Sequence, residues 1–190
     1  MTIIYDYLFD AMWLAYLIYW WAKSTNVKTT ELIESALPRR IRFVSIVCAA
    51  MLLAFPDIPL GFLDKHFIPL GIVRFWIGCV ITVGGLLFSI WARNHLGQNW
   101  SQAVTIKKDH ELIMSGPYAL VRHPIYTGLL LAFIGSAIAL GRWRGVLAVI
   151  LIFIVLWNKL KFEEKWMRAQ FGTSYKSYAQ RVAALVPYVL

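Results

Sequence analysis

The sequence predicts an all-α integral membrane bundle of about five transmembrane helices, ending in a cytoplasmic helical tail. Three observations predict it. The composition is 59% hydrophobic and only 15% charged, less charge than a soluble domain carries, and mean hydropathy is +0.62. The apolar residues gather in five runs, most of them near the ~20 residues that a spanning helix needs. Fifteen of the 19 Lys and Arg residues fall on one side of those runs, as the positive-inside rule expects.

The first run spans Ile3 to Ala22. It is preceded by no basic segment, so it reads as retained and not as a cleaved signal. The second, Ile41 to Phe55, is short. The third, Pro69 to Ala92, starts on a proline suited to a first helical turn and carries Gly78, Gly84 and Gly85, which permit close helix packing. The fourth runs from Ile125 to Leu140 and the fifth from Trp143 to Trp157. Between them "GRWRG" predicts a tight turn and hence a hairpin. Beyond Asn158 the chain turns polar. The fifth helix is expected to continue outward to Gly172, where glycine ends it, with a short surface helix from about Ser174 to Val182.

An odd number of spans with this charge bias puts the N-terminus outside, and the loop Asn94 to Pro124 and the tail in the cytoplasm. The net charge of +9 does not point to nucleic acid. The cations flank apolar runs, where anionic lipid headgroups are the expected partners. Cys48 and Cys79 sit inside apolar runs, have neither zinc nor disulfide spacing, and are expected as small core residues. No metal site is expected.

Two clusters share the cytoplasmic mouth. One is Gly116-Pro117-Tyr118 with Arg122-His123-Pro124, Tyr126 and Gly128. The other is Glu163-Glu164. Ionisable residues at a membrane edge are costly and therefore functional candidates. Pro124 suits a helix start, and the amides of the turn that follows would face a polar or anionic ligand. Tyr118 and Tyr126 offer flat faces and hydroxyl donors. The glutamates suit an ammonium group, though adjacent helix positions diverge, so one of the two is expected to point into a site. Singly, each feature has a plainer reading: Arg122 and the tyrosines as an interfacial anchor, the glutamates as a solvated helix face. The combination favours a site.

"GPYALVRHPIYTG", then "EE", then "FGTSYKSYAQRVAALVP" resembles the isoprenylcysteine carboxyl methyltransferase family and its phospholipid methyltransferase relatives. "LGQNWS", Leu96 to Ser101, resembles a segment that precedes the first motif in that group. The resemblance covers Leu96 to Pro187. It divides the single membrane domain into three N-terminal spans, 1–93, and a cofactor-binding half, 94–190. It implies S-adenosylmethionine as methyl donor, in a site lined by Tyr118, Val121, Arg122, His123, Tyr126, Gly128, Glu163 and Glu164; catalytic roles are expected at Arg122, Lys159 and Glu164, with Arg122 or Lys159 able to hold an acceptor carboxylate. A lipophilic or prenylated acceptor would enter from the bilayer. Lys159 is a departure, because relatives often carry an arginine about one turn before the glutamates. A carboxylate acceptor needs no base at neutral pH; an amine would need one, and a glutamate or His123 could serve. Membrane sterol reductases, which bind NADPH, carry a similar pattern in much longer chains. A non-enzymatic small membrane protein is the remaining alternative, against which the almost bare span interiors speak.

Overall fold

A computed structural model of the chain describes residues 2–24, 35–55, 58–69, 71–97 and 112–187. Its α-helices are α1 (Thr2–Ser24), α2 (Ala36–Ala54), α3 (Ile72–Leu96), α4 (Pro124–Leu140) and α5 (Trp143–Arg181), with short 3-10 turns at Gly61–Asp64 and Gly116–Ala119. All five helices stand where apolar runs predict them. By length and composition Ile72–Leu96 and Trp143–Arg181 are able to cross a membrane, while Pro124–Leu140 is a shorter apolar helix.

The helix ends differ from the hydropathy reading for local reasons. Helix α2 starts at Ala36, earlier than expected, with Arg39, Arg40 and Arg42 inside the helix. Hydropathy cannot see a helix that continues through charges. Helix α3 starts at Ile72, so Pro69 is not in its first turn. Gly71 before it is extended, and the strand-like segment ahead of it is tied down by Phe67 N donating to Gly141 O at 3.0 Å. Helix α4 starts on Pro124 and ends at Gly141, which takes the left-handed φ of 64°. Helix α5 begins two residues later, which confirms the tight turn of the hairpin. Its 39 residues include one non-helical position, Gly172 at φ 52°. The long helix and the short tail helix therefore meet where glycine was expected to break them.

Helices α3 and α4 pack closest, through a seam of facing glycines. A Cβ on Gly78 would lie 2.6 Å from Gly135 O, and one on Gly85 would lie 2.5 Å from Gly128 O. Both partners repeat at seven residues, so each helix offers two glycines to one face. Gly84 meets nothing within 4 Å and has no part in the seam. Polar side chains reinforce it. Thr82 and Ser89 are fully buried, and Ser136 Oγ donates back to Ala132 O at 2.8 Å. Helix α1 lies against this pair, with Tyr16 and Ser89 hydroxyls 2.8 Å apart and Trp13 Nε1 donating to Ser136 Oγ at 3.1 Å. Helix α5 packs on α4, and α2 packs on α5.

At the far end from the motif cluster, the 58–69 connection caps the hairpin. Arg144 is almost fully buried, yet it donates to Asp64 Oδ1 at 3.2 Å and Ile58 O at 3.1 Å. Cys79 is buried as expected, but Cys48 is exposed. The bundle-facing stripe of α2 runs through Arg42, Ser45 and Ala49, which turns Cys48 outward.

Candidate active site

The site is assembled where the start of α4 meets the outer part of α5. Its floor is the turn before α4. Gly116 takes φ 60°, and a Cβ there would lie 2.7 Å from the His95 ring. Glycine thus lets the end of α3 close on this turn. His95 Nε2 lies 2.9 Å from Ser115 Oγ, and its ring stacks at 25° on Tyr118. His95 was not singled out by the sequence reading; its only signal was its place beside "LGQNWS". Of that motif Leu96 and Gly97 end α3, while 98–101 lie outside the described residues.

A strap of tail backbone holds the Arg-His-Pro segment. The amides of Arg122 and His123 donate to Ala183 O at 2.8 Å and Ala184 O at 3.0 Å. Thr127 Oγ1 donates to Leu185 O at 2.7 Å. Tyr178 Oη donates to Tyr118 O at 2.5 Å. Tyr175 and Tyr178, three residues apart on one face of the short tail helix, are both buried. That i,i+3 spacing was visible in "SYKSYAQ", although no role had been attached to it. Burial pushes the Tyr178 hydroxyl up to about 12, against the opposing charge of Arg122, so it remains a donor.

The helix start itself offers less to an anion than expected. Pro124 has no N–H, and the amides of Tyr126 and Thr127 each donate to His123 O at 3.0 Å. The side chains matter more. Arg122 Nε and Nη2 both donate to Glu164 Oε1, at 2.8 and 2.5 Å, and Nη1 donates to Ala179 O and Val182 O. Glu164 is buried, with Arg168 Nη2 3.4 Å from its other oxygen. Burial alone would raise the Glu164 carboxyl, but the neighbouring His123 and Arg122 outweigh it and hold the carboxyl at about 2. Tyr126 Oη donates to Glu163 Oε1 at 2.6 Å. Lys159 Nζ stands 3.6 Å from the same oxygen and 5.3 Å from the Tyr126 ring centroid.

His123 joins the two carboxylates. Its Nδ1 is 3.6 Å from Glu163 and its Nε2 is 3.5 Å from Glu164. Its ring lies parallel to Tyr126 with centroids 5.4 Å apart. Nε2 is buried and has no well-formed hydrogen bond among the described residues. Both glutamates therefore reach one cluster, where only one was expected. They leave the helix in different directions, but one imidazole spans the gap with a nitrogen toward each.

Of the residues singled out from sequence, Arg122, His123, Tyr126, Lys159, Glu163 and Glu164 converge. Tyr118 and Val121 are buried beneath them. Gly128 does not converge. A Cβ there would strike Gly85 O and Ser89 N of α3, so this glycine serves the helix seam and faces away from the cluster. Among the described residues no group of His, Cys, Asp or Glu has the makings of a metal site.

The model of the phospholipid methyltransferase family matches residues 73–174, more than half of the chain. The chain belongs to the phospholipid methyltransferase family. The match takes in α3, which sequence reading had left with generic membrane helices. A probable protein-S-isoprenylcysteine O-methyltransferase of Oryza sativa subsp. indica is 29% identical over 120 residues, covering 60% of this chain and 61% of the relative. Methanethiol S-methyltransferase 2 of Bradyrhizobium diazoefficiens is 41% identical over 71 residues, covering 37% of this chain and 26% of the relative. The solved structure of the eukaryotic intramembrane Ras methyltransferase, an isoprenylcysteine carboxyl methyltransferase, superposes with a TM-score of 0.58 at 24% identity over 83% of this chain and 55% of that one. That likeness is one of fold. The chain thus spans about six tenths of the length of the rice relative and a little over half of the solved one.

Proposed function

We propose that this phospholipid methyltransferase family member is an integral membrane enzyme that moves a methyl group from S-adenosylmethionine to the carboxylate of an isoprenylcysteine-like lipid. The observation that carries the reading is the convergence of Arg122, His123 and Tyr126 with Glu163 and Glu164. The same residues resemble the donor-binding motifs of isoprenylcysteine carboxyl methyltransferases. The names of the curated relatives support the acceptor class. Five spans, with the N-terminus outside and the site facing the cytoplasm, fit the distribution of Lys and Arg.

The residues present suit the donor. The Lys159 ammonium rests over the Tyr126 ring and beside Glu163, so the cluster already accommodates a cation by an aromatic face and a carboxylate. The buried, underused Nε2 of His123 is a further polar contact for a ligand. Tyr118, Tyr126, His123 and Glu163 would hold the donor, with Val121 as apolar lining and Glu164 fixing the geometry. S-adenosylmethionine, when bound, supplies an electrophilic methyl on a sulfonium.

The chain's own residues then have modest tasks. A carboxylate is ionised at neutral pH and needs no base. Tyr126 and His123 orient, and the buried cluster keeps water from the reacting centre. Gly128 acts through helix packing. Arg122 spends its donors on Glu164 and on the tail, which gives it a positioning role and not direct contact with the acceptor.

A second reading, a thiol acceptor, is favoured by the methanethiol S-methyltransferase relative, with His123 or a glutamate as the base for the thiol proton. Detergent-purified protein with methyl-labelled S-adenosylmethionine separates the two. The proposal expects label transferred to a prenylated N-acylcysteine and released as methanol by base, since an ester is base-labile. Base-stable label on a free thiol acceptor supports the second reading. No transfer to either acceptor contradicts both.

A further inference from the structure

We propose that the mouth of the bundle opposite the His123 cluster holds the headgroup of an anionic phospholipid, gripped by Arg74 and Lys65. The proposal rests on the integral membrane reading and not on the donor or the acceptor. The His123 cluster stands at the start of α4. This mouth lies at the other end of that 17-residue helix, roughly 25 Å away. Cations outnumber acids there. Lys65, Arg74, Arg142 and Arg144 lie around the turn between α4 and α5. The described acids at this end are Asp64 and Asp10. Asp64 is committed, to Arg144 at 3.2 Å and to the Leu60 amide at 2.6 Å. Asp10 is exposed on α1, next to Phe9, which packs edge-on against Phe75.

Arg74 is fixed by backbone and lacks a counter-charge. Its Nη1 donates to Ile68 O at 3.1 Å. A Cβ on Gly141 would lie 1.8 Å from the same nitrogen, so glycine at the hairpin turn is what admits the guanidinium. Its Nε is shielded from solvent and has no acceptor among the described residues. A charged donor buried without an acceptor is costly, and a guanidinium takes two phosphate oxygens side by side. Lys65 is brought to the same face. Trp143 N donates to Lys65 O at 3.2 Å and Phe67 N to Gly141 O at 3.0 Å, with His66 opposite Arg142. Alternation along such a pair puts Lys65, Phe67, Gly141 and Trp143 on one face, where Arg74 meets Gly141. Lys65 is two residues, or about 7 Å, from Phe67, so its side chain reaches a headgroup held at Arg74. It is exposed, with its ammonium 5.5 Å from the Phe62 ring centroid.

The surroundings suit a lipid. Trp143 stacks on Phe62 with centroids 6.0 Å apart and tilts against Phe67 at 5.4 Å, an aromatic ledge of the kind found at headgroup depth. Beside Arg74 the outward face of α3 forms an open apolar groove of about 430 Å³, lined by Ile72, Val73, Trp76, Ile77, Val80 and Ile81. An acyl chain along this groove brings its phosphate to the first turn of α3, where Arg74 stands. The groove therefore favours a lipid over a free phosphate. A headgroup bound by Arg74 and Lys65 ties α3 and the 58–69 connection to the hairpin of α4 and α5.

The test is the thermal stability of the detergent-purified protein, titrated with phosphatidylglycerol, phosphatidylcholine or inorganic phosphate. It compares wild type with Arg74→Gln, Lys65→Gln and Lys176→Gln. Lys176 is exposed on the tail helix at the other end, so its variant loses the same charge elsewhere. Wild type should be stabilised more by phosphatidylglycerol than by phosphatidylcholine, and not by inorganic phosphate at the same concentration. A lost charge-assisted contact is worth at least about tenfold in affinity. The phosphatidylglycerol needed for half the stabilisation should rise by that factor in Arg74→Gln and severalfold in Lys65→Gln, and stay at the wild-type value in Lys176→Gln. Lys65 is exposed, so its variant keeps the test open should Arg74→Gln fail to fold. An unchanged dependence in Lys65→Gln, or in a folded Arg74→Gln, overturns the proposal. So does equal stabilisation by the two lipids, or an equal loss in Lys176→Gln. Inorganic phosphate matching phosphatidylglycerol assigns the site to a free anion and overturns the lipid.

Discussion

Among the described residues Glu164 has three basic neighbours, Arg122, His123 and Arg168. It is buried, which would raise its carboxyl, but His123 and Arg122 outweigh the burial and keep it ionised. Its pKa is depressed by folding from an ordinary 4.5 to about 2. Its contribution to stability is therefore complete above about pH 4.5 and is lost as the pH falls toward about 2. Acid unfolding followed in detergent should show wild type losing stability across that window. Glu164→Gln should start less stable at neutral pH and lose less between pH 4.5 and 2; parallel curves would contradict the pairing. At this scale the sequence was informative about residue types and poor about partners. "RHP" and "EE" stood out because charge at a membrane edge is expensive. That both glutamates would meet one histidine depended on a long-range fit of two helices, which local spacing cannot express.

Among the elements, α3 and α4 depend on the absence of side chains where they meet. Gly85→Ala would drive a methyl to 2.5 Å from Gly128 O, and Gly135→Ala another to 2.5 Å from the Thr82 amide. Helix backbone has little room to yield, so each should destabilise by about 1–3 kcal/mol in reversible unfolding. Gly84→Ala, one residue away with open space around it, should cost nothing and gain helix propensity. Equal losses at 84 and 85 would contradict the seam. The elements were legible from hydropathy because each apolar run is a separate helix. Their ends were less so. Arg39 and Arg40 belong to a helix that hydropathy cuts short, and α3 starts at Ile72, beyond the proline it was expected to begin on. Gly128 belongs to the motif that resembles a cofactor site and permits close backbone approach, and in the structure the backbone that approaches it is that of α3.

Taken whole, the molecule is a helical bundle in which the tail returns to lock the start of α4. Helix α1 joins α3 and α4 through hydroxyls and an indole, and α2 flanks α5. The family match, from residue 73, takes in α3, which packs against α4 along the glycine seam. The sequence indicated the half that carries the motifs, whereas the packing of α2 on α5 became visible only in three dimensions. The cluster around His123 is proposed as the methyl-donor site. Calorimetric titration of S-adenosylhomocysteine into the detergent-purified protein and its Glu163→Gln variant tests it most directly. Glu163 is the better choice than Glu164, which the tail needs for its anchorage. The account predicts saturable binding by wild type and at least about tenfold weaker binding by the variant, as expected for one lost charge-assisted contact. No binding by wild type at millimolar ligand, or equal binding by both proteins, would contradict it.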